Sequence, residues 1–187
     1  MSTERRQQII EATIRCIGLY GIAGATLDKI AEECGMSRGH VRHFIGNRDD
    51  LLVETTRQFY FGNESDGSLL PEGVEGIDQI LDYLFGDEFT HPDADNSVVL
   101  GLVEASRTNH AIAEVMLRAY EQTQTVIAAA IAERHPASDP AKLDEVSFGV
   151  MTLSLGNVFM SDLEVSAART TVARRIAEGM IAEAVVA

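Results

Sequence analysis

The spacing of apolar positions along the 187-residue chain is helical almost throughout, and no segment alternates apolar and polar residues long enough to suggest a strand. Ile9, Ile10, Thr13, Ile17 and Tyr20 fall on one stripe of a first helix that should stop near Gly21. Leu27, Ile30, Ala31 and Cys34 follow the i, i+3, i+4, i+7 pattern of a second helix, with Thr26 as its N-cap and Gly35 supplying the left-handed position that ends it. Ser37 caps a short third helix that should carry Val41 and Phe44 inward. After the break at Gly46-Asn47, Asn47 caps a fourth, whose first turn holds Asp49 and Asp50 against the positive helix end. Beyond a Gly- and acid-rich stretch from Asn63 to Gly76, the pattern predicts helices over Ile77–Phe89, from Asn96 toward Arg107 and over Ala111–His135. A further one opens at Asp139-Pro140 and runs to about Met160, and the last spans Ala167–Val185 with Ala168, Val172, Ile176 and Met180 at spacings of four. The expected fold is all-α with about nine helices: an N-terminal three-helix unit over residues 1–47 and a larger helical bundle over 48–187.

Charge separates the two parts. The chain holds 15 Lys and Arg against 29 Asp and Glu, for a net charge of −14. Residues 1–58 carry eight of each sign, so the remainder carries the whole excess of acid. A strongly acidic chain is a poor phosphate binder on average, but a neutral segment with clustered Arg can still present local positive potential. Two cysteines, Cys16 and Cys34, are too few for a disulfide framework or a cysteine-based zinc site and read as core thiols. The longest uncharged run, Val146–Ser161, is shorter than the roughly 20 apolar residues of a membrane span, and the N-terminus lacks an apolar signal core. The expectation is a cytoplasmic protein with no membrane partner.

Residues 27–44 meet the pattern that a helix-turn-helix imposes. A small Ala31 lets two helices approach, Gly35 makes the turn four residues later, and Val41 plugs the gap six residues beyond. Ile30, Cys34, Met36 and Phe44 would complete a small core. The outward face of the third helix is then left with Arg38, Gly39, His40, Arg42 and His43, cationic or hydrogen-bonding and free of acid, which suits a DNA major groove. His40 and His43 have helical metal-ligand spacing, but no carboxylate or thiolate is at hand to complete a site. No metal and no cofactor are expected. HExxH, GxSxG, CxxC and GxxxxGK[ST] motifs are absent, so the chain is not expected to be an enzyme. His91, Asp93 and Asp95 form a further cluster of ligand-type side chains that lacks the remaining positions of a calcium loop and reads as a solvated loop.

The stretch GIAGATLDKIAEECGMSRGHVRHFIGNRDDLL, residues 21–52, resembles the DNA-binding domain of the TetR family of bacterial transcriptional regulators. The resemblance extends over most of residues 5–55; beyond about residue 60 it is one of size and helix order alone. It implies DNA contacts from Thr26, Lys29, Ser37, Arg38, Gly39, His40, Arg42, His43 and Arg48. Two of these depart from the family's usual residues: Arg42 stands where Tyr is usual and Arg48 where Lys is usual. The first replaces a stacking contact by a base-reading group; the second keeps a cation. The resemblance also implies a homodimer, because one short helix buries too little surface to be selective. Phe148, Met151, Leu155, Phe159, Val172 and Ile176 on the last two helices are the candidates for that interface, and Gly149 and Gly156 would admit a close neighbour. Helices four to seven would enclose a pocket for a small-molecule inducer, with Phe59, Tyr60, Tyr83, Phe89, Met116 and Tyr120 lining it and the fourth helix as transmitter; the acids favour a cationic or neutral ligand. The implied function is a repressor that binds a palindromic operator as a homodimer and is released by inducer. The alternative is an all-α small-molecule-binding or adaptor protein that keeps the fold without binding DNA.

Overall fold

A computed structural model describes residues 2–62, 67–90 and 94–186. Among the described residues the chain is all-α, with ten helices and no strand: α1 (Ser2–Gly24), α2 (Leu27–Glu33), α3 (Arg38–Ile45), α4 (Arg48–Phe61), α5 (Gly76–Leu84), α6 (Asp87–Thr90), α7 (Ala94–Ser106), α8 (His110–Arg134), α9 (Pro140–Leu163) and α10 (Ala167–Val186). The helix expected over residues 77–89 is two, α5 and the single turn α6. Gly86 lies at the break, where a Cβ would come within 2.4 Å of the Asp82 carbonyl oxygen. The loop residues His91 and Asp93, and the start of the segment that begins at Asn63, lie outside the described residues.

The chain packs as two compact units. The first contains α1 to α4, α7 and the start of α8 as far as Arg118; the second contains α5, α6, α8 from Ala119, α9 and α10. These are packing units, and they do not follow the chain order as a division at residue 47 does. In the first unit Ile9, Ile17, Ile30, Val41, Leu51, Val98, Leu102 and Ile112 are fully buried. Gly101 lets α7 approach α1 closely, since a Cβ there would meet Ile17 Cγ2 at 2.9 Å. Helical hydrogen bonding in α1 continues to Gly24, but Gly21 itself is non-helical, with φ 70° and ψ 171°. The regular part of α1 therefore ends where the sequence placed it, and a tight turn follows that buries Ile22.

The second unit is built on Ile80, Leu84, Ile127, Ile131, Val150 and Ala177, all fully buried. Asp139 caps α9 by accepting from Ala141 N at 3.0 Å, with Pro140 at the first helical position. The Gly67 and Leu69 amides dock the loop before α5 onto α8, donating to Gln122 Oε1 (3.0 Å) and Thr123 Oγ1 (2.8 Å). Arg134 grips Asp78 across α8 and α5 and holds that carboxyl below the usual carboxylate range. In α10 the buried stripe is Ala173, Ala177, Ile181 and Ala184, not the one through Ala168 and Val172: Val172 and Ile176 are exposed and Met180 half-buried. Small alanines face the core because α9 runs close by, as Gly149 requires: a Cβ on it would reach 2.1 Å from Met180 Cε.

Candidate nucleic-acid interface

The helix-turn-helix forms from local chemistry. Thr26 is extended and its Oγ1 accepts from Lys29 N at 3.4 Å, starting α2. At the other end Gly35 takes φ 65°, and Met36 N closes back onto Ala31 O at 2.8 Å, satisfying a carbonyl that the helix end would leave orphaned. Ser37 Oγ then accepts from His40 N at 3.2 Å and opens α3. Inside, Ile30, Ala31, Cys34, Val41 and Ile45 are buried. Phe44, expected to point inward, is half-buried, and its ring meets His43 edge-on at 5.4 Å. The reason is helical register: Val41 and Ile45, four apart, share the inward stripe and leave Phe44 at its margin.

All five outward residues, Arg38, Gly39, His40, Arg42 and His43, are exposed, and α3 carries no acid. The cations on and beside this face are held differently. Lys29 Nζ lies 3.8 Å from the Tyr20 ring centroid, a cation–π contact. Arg38 Nη1 donates to Asp28 Oδ2 at 3.0 Å and Oδ1 at 3.3 Å. Arg48, half-buried, donates through Nε to Ala25 O at 3.3 Å and through Nη2 to Ile22 O, so it ties the start of α4 to the turn between α1 and α2. The Arg42 guanidinium makes no ion pair or hydrogen bond among the described residues, while its carbonyl accepts from Gly46 N at 2.9 Å. Asp28 is the feature that a search for cations passes over; its spacing of ten from Arg38 is visible only once the turn folds α3 back on α2.

Cys16 and Cys34 are both free and buried, and burial pushes both thiols up from their ordinary range. Cys34 also directs its Sγ at Ala31 O, 3.6 Å away. They are core groups of the reader.

The expected pocket residues are divided between the units. Phe59, Tyr60 and Met116 belong to the first, while Tyr83, Phe89 and Tyr120 pack against the core of the second, with the Tyr83 and Phe89 rings 5.3 Å apart. None of the six lines the clefts of about 430 and 260 Å³ in the second unit or the one of about 350 Å³ in the first.

On α9 the usual order of a surface helix is inverted. Ser147, Ser154, Asn157 and Ser161 are buried, while Phe148 and Phe159 are 55% and 52% exposed and Met160 and Leu163 stand outside as well. Two of these serines return their hydroxyls to their own helix: Ser147 Oγ donates to Leu143 O and Ser154 Oγ to Met151 O, both at 2.8 Å. Val172 and Ile176 of α10 add to the exposed apolar surface. Met151 lies in the core of the unit and Leu155 is half-buried. By length and composition α9 is apolar enough to cross a bilayer, with a mean hydropathy of 1.2 in its most apolar stretch, but it carries Lys142, Asp144 and Glu145 in its first turns and packs along α10.

These observations define a helix-turn-helix protein. Residues 9–55, about a quarter of the chain, match the family described as bacterial regulatory proteins, tetR family. Over 58 residues it is 45% identical to the HTH-type transcriptional regulator BetI 2 of Chromohalobacter salexigens; the matched stretch covers 31% of this chain and 28% of the relative. The similarity to curated relatives thus spans little more than a quarter of their length. The fold extends further. A transcriptional regulator from Rhodococcus sp. Rha1 superposes with a TM-score of 0.78 at 14% identity, covering 95% of this chain and 96% of that one. A transcriptional regulator from Saccharomonospora viridis, solved in complex with choline, superposes with a TM-score of 0.71 at 20% identity, covering 96% of each chain. Both the matched relative and these fold neighbours are transcriptional regulators.

Proposed function

We propose that this protein is a cytoplasmic transcriptional repressor that binds a palindromic DNA operator as a homodimer and releases it when a small-molecule inducer binds. The observation that carries the DNA-binding part is the outward face of α3, which is exposed, rich in Arg and His, free of acid, and held on a helix whose other side is locked by Val41 and Ile45. A helix of this kind offers Arg to guanine edges and its N-terminus to phosphate. The exposed apolar face of α9 and α10 supports the homodimer. Such a face on a protomer calls for a partner, and a two-fold interface between identical copies would cover it. A small-molecule partner is supported by fold neighbours solved with choline and, for the multidrug binding protein EbrR, with malachite green. The acid excess outside residues 1–58 favours a cationic or neutral inducer. Release is a population shift: the inducer prefers a conformation in which two recognition helices are wrongly spaced for the operator.

The test is Arg42→Ala. In fluorescence anisotropy with a selected operator duplex, the variant loses selective binding, by roughly tenfold to a hundredfold for one bidentate base contact, while sedimentation still reports a dimer. Unchanged operator affinity would refute the role given to Arg42.

A further inference from the structure

We propose that Asp28 is a positioning residue for DNA reading: its carboxylate clamps Arg38 so that the free edge of the guanidinium is presented to a guanine. The inference rests on the DNA-binding reading above and adds to it a residue that is itself unsuited to touch DNA.

The geometry is specific. Nη1 of Arg38 donates to both carboxylate oxygens of Asp28, at 3.0 and 3.3 Å. An arginine carries five N–H groups in a planar fork, and this pairing occupies Nη1 while leaving Nε and Nη2. Two parallel donors along one edge are what the O6 and N7 acceptors of guanine require in the major groove. The clamp also runs between elements. Asp28 lies in the first turn of α2 and Arg38 at the start of α3, so the aim of the guanidinium is set by the helix-turn-helix scaffold instead of by its own flexible stem. Side chains this exposed, 58% for Arg38 and 68% for Asp28, add little to fold stability through an ion pair. Ordering a long side chain before DNA arrives lowers the cost of ordering it on binding.

Electrostatics adds discrimination. Asp28 stands exposed in the first turn of α2, two residues from the Thr26 cap, and a bare carboxylate beside bound DNA would repel its phosphates. An Arg38 drawn off to a phosphate leaves Asp28 uncompensated, whereas an Arg38 reading guanine keeps the Asp28 bond. Wrong docking is therefore penalised as well as right docking favoured.

The experiment selects bound sequences from a randomised duplex library with the full-length chain, its Arg38→Ala variant, and Asp28→Asn and Asp28→Glu. Wild type enriches guanine at one position in each half-site and Arg38→Ala loses that enrichment. Asp28→Asn lowers discrimination at that position by roughly tenfold and nowhere else, tightens binding to a mixed-sequence duplex, and melts at the wild-type temperature. Asp28→Glu, which keeps a carboxylate within reach, retains the preference. The proposal is overturned if Asp28→Asn keeps the full preference, loses preference evenly at every position, or loses binding together with thermal stability. Failure of the wild type to enrich any sequence overturns the DNA-binding reading itself, a result distinguishable from the other three.

Discussion

Truncating Phe159 to alanine should weaken self-association without disturbing the protomer, and the structure sets the size of the effect. Phe159 is 52% exposed on α9 and Phe148, eleven residues earlier on the same face, is 55% exposed. A phenylalanine can bury on the order of 200 Å², so about 100 Å² of Phe159 remains for a partner to cover. At about 25 cal/mol per Å² that area contributes about 2.5 kcal/mol in each protomer. A two-fold interface counts every substitution twice, giving about 5 kcal/mol for the dimer. Alanine keeps part of the contact, so the expected loss is about 3 kcal/mol, on the order of a hundredfold in the dimer dissociation constant. Sedimentation equilibrium over a dilution series reads the constant directly, and circular dichroism should show an unchanged helix content, with any fall in melting temperature tracking the loss of dimer. A Phe159→Ala protein that dimerises as tightly as wild type would refute the assignment of this face. One that loses helix content as a monomer would show that the ring belongs to the protomer's own packing.

Three further outcomes follow from the reader. Arg48→Ala removes two charge-assisted bonds to Ile22 O and Ala25 O; thermal denaturation should show a loss of about 1–2 kcal/mol, and DNA affinity should fall evenly for all sequences with a shallower salt dependence. Gly35→Ala places a Cβ at φ 65°, where space is open but the backbone is disfavoured, and chemical denaturation should report about 1–2 kcal/mol of destabilisation. Cys16 and Cys34, buried and shifted upward, should resist a thiol reagent in the native protein at neutral pH and react on unfolding. The linked stability is fully present below the unfolded thiol value of about 8.5 and declines as pH rises above it. Rapid native-state labelling of both thiols would contradict their place in the core.

The reader was legible in the sequence because its information is local. Thr26, Ser37 and Asn47 cap the helices that they precede, each accepting a hydrogen bond from the amide three residues on, and Gly35 takes the positive φ that the turn needs. What the sequence obscured was decided by neighbours. In α9 a helix apolar nearly all round gives no stripe to read, and buried serines that bond their own carbonyls overturn the usual rule that the large apolar residues go inside. In α10 alanines form the core stripe because α9 lies close, and the bulkier Val172 and Ile176, named from the sequence as interface candidates, stand exposed. Phe44 lost the buried place to Ile45 by one position of register. The clamp between Asp28 and Arg38 joins residues ten apart and follows from the folded turn, not from either helix alone.

The central claim, that α3 of a paired protein reads duplex DNA, is tested most directly by selection from a randomised duplex library followed by a salt titration on the enriched sequence. The account predicts a palindrome whose half-sites are separated by about one helical turn of DNA, or a related spacing, bound by a dimer with an affinity that falls steeply as salt is raised. A purified protein that enriches no sequence and stays monomeric in dilute buffer would contradict it.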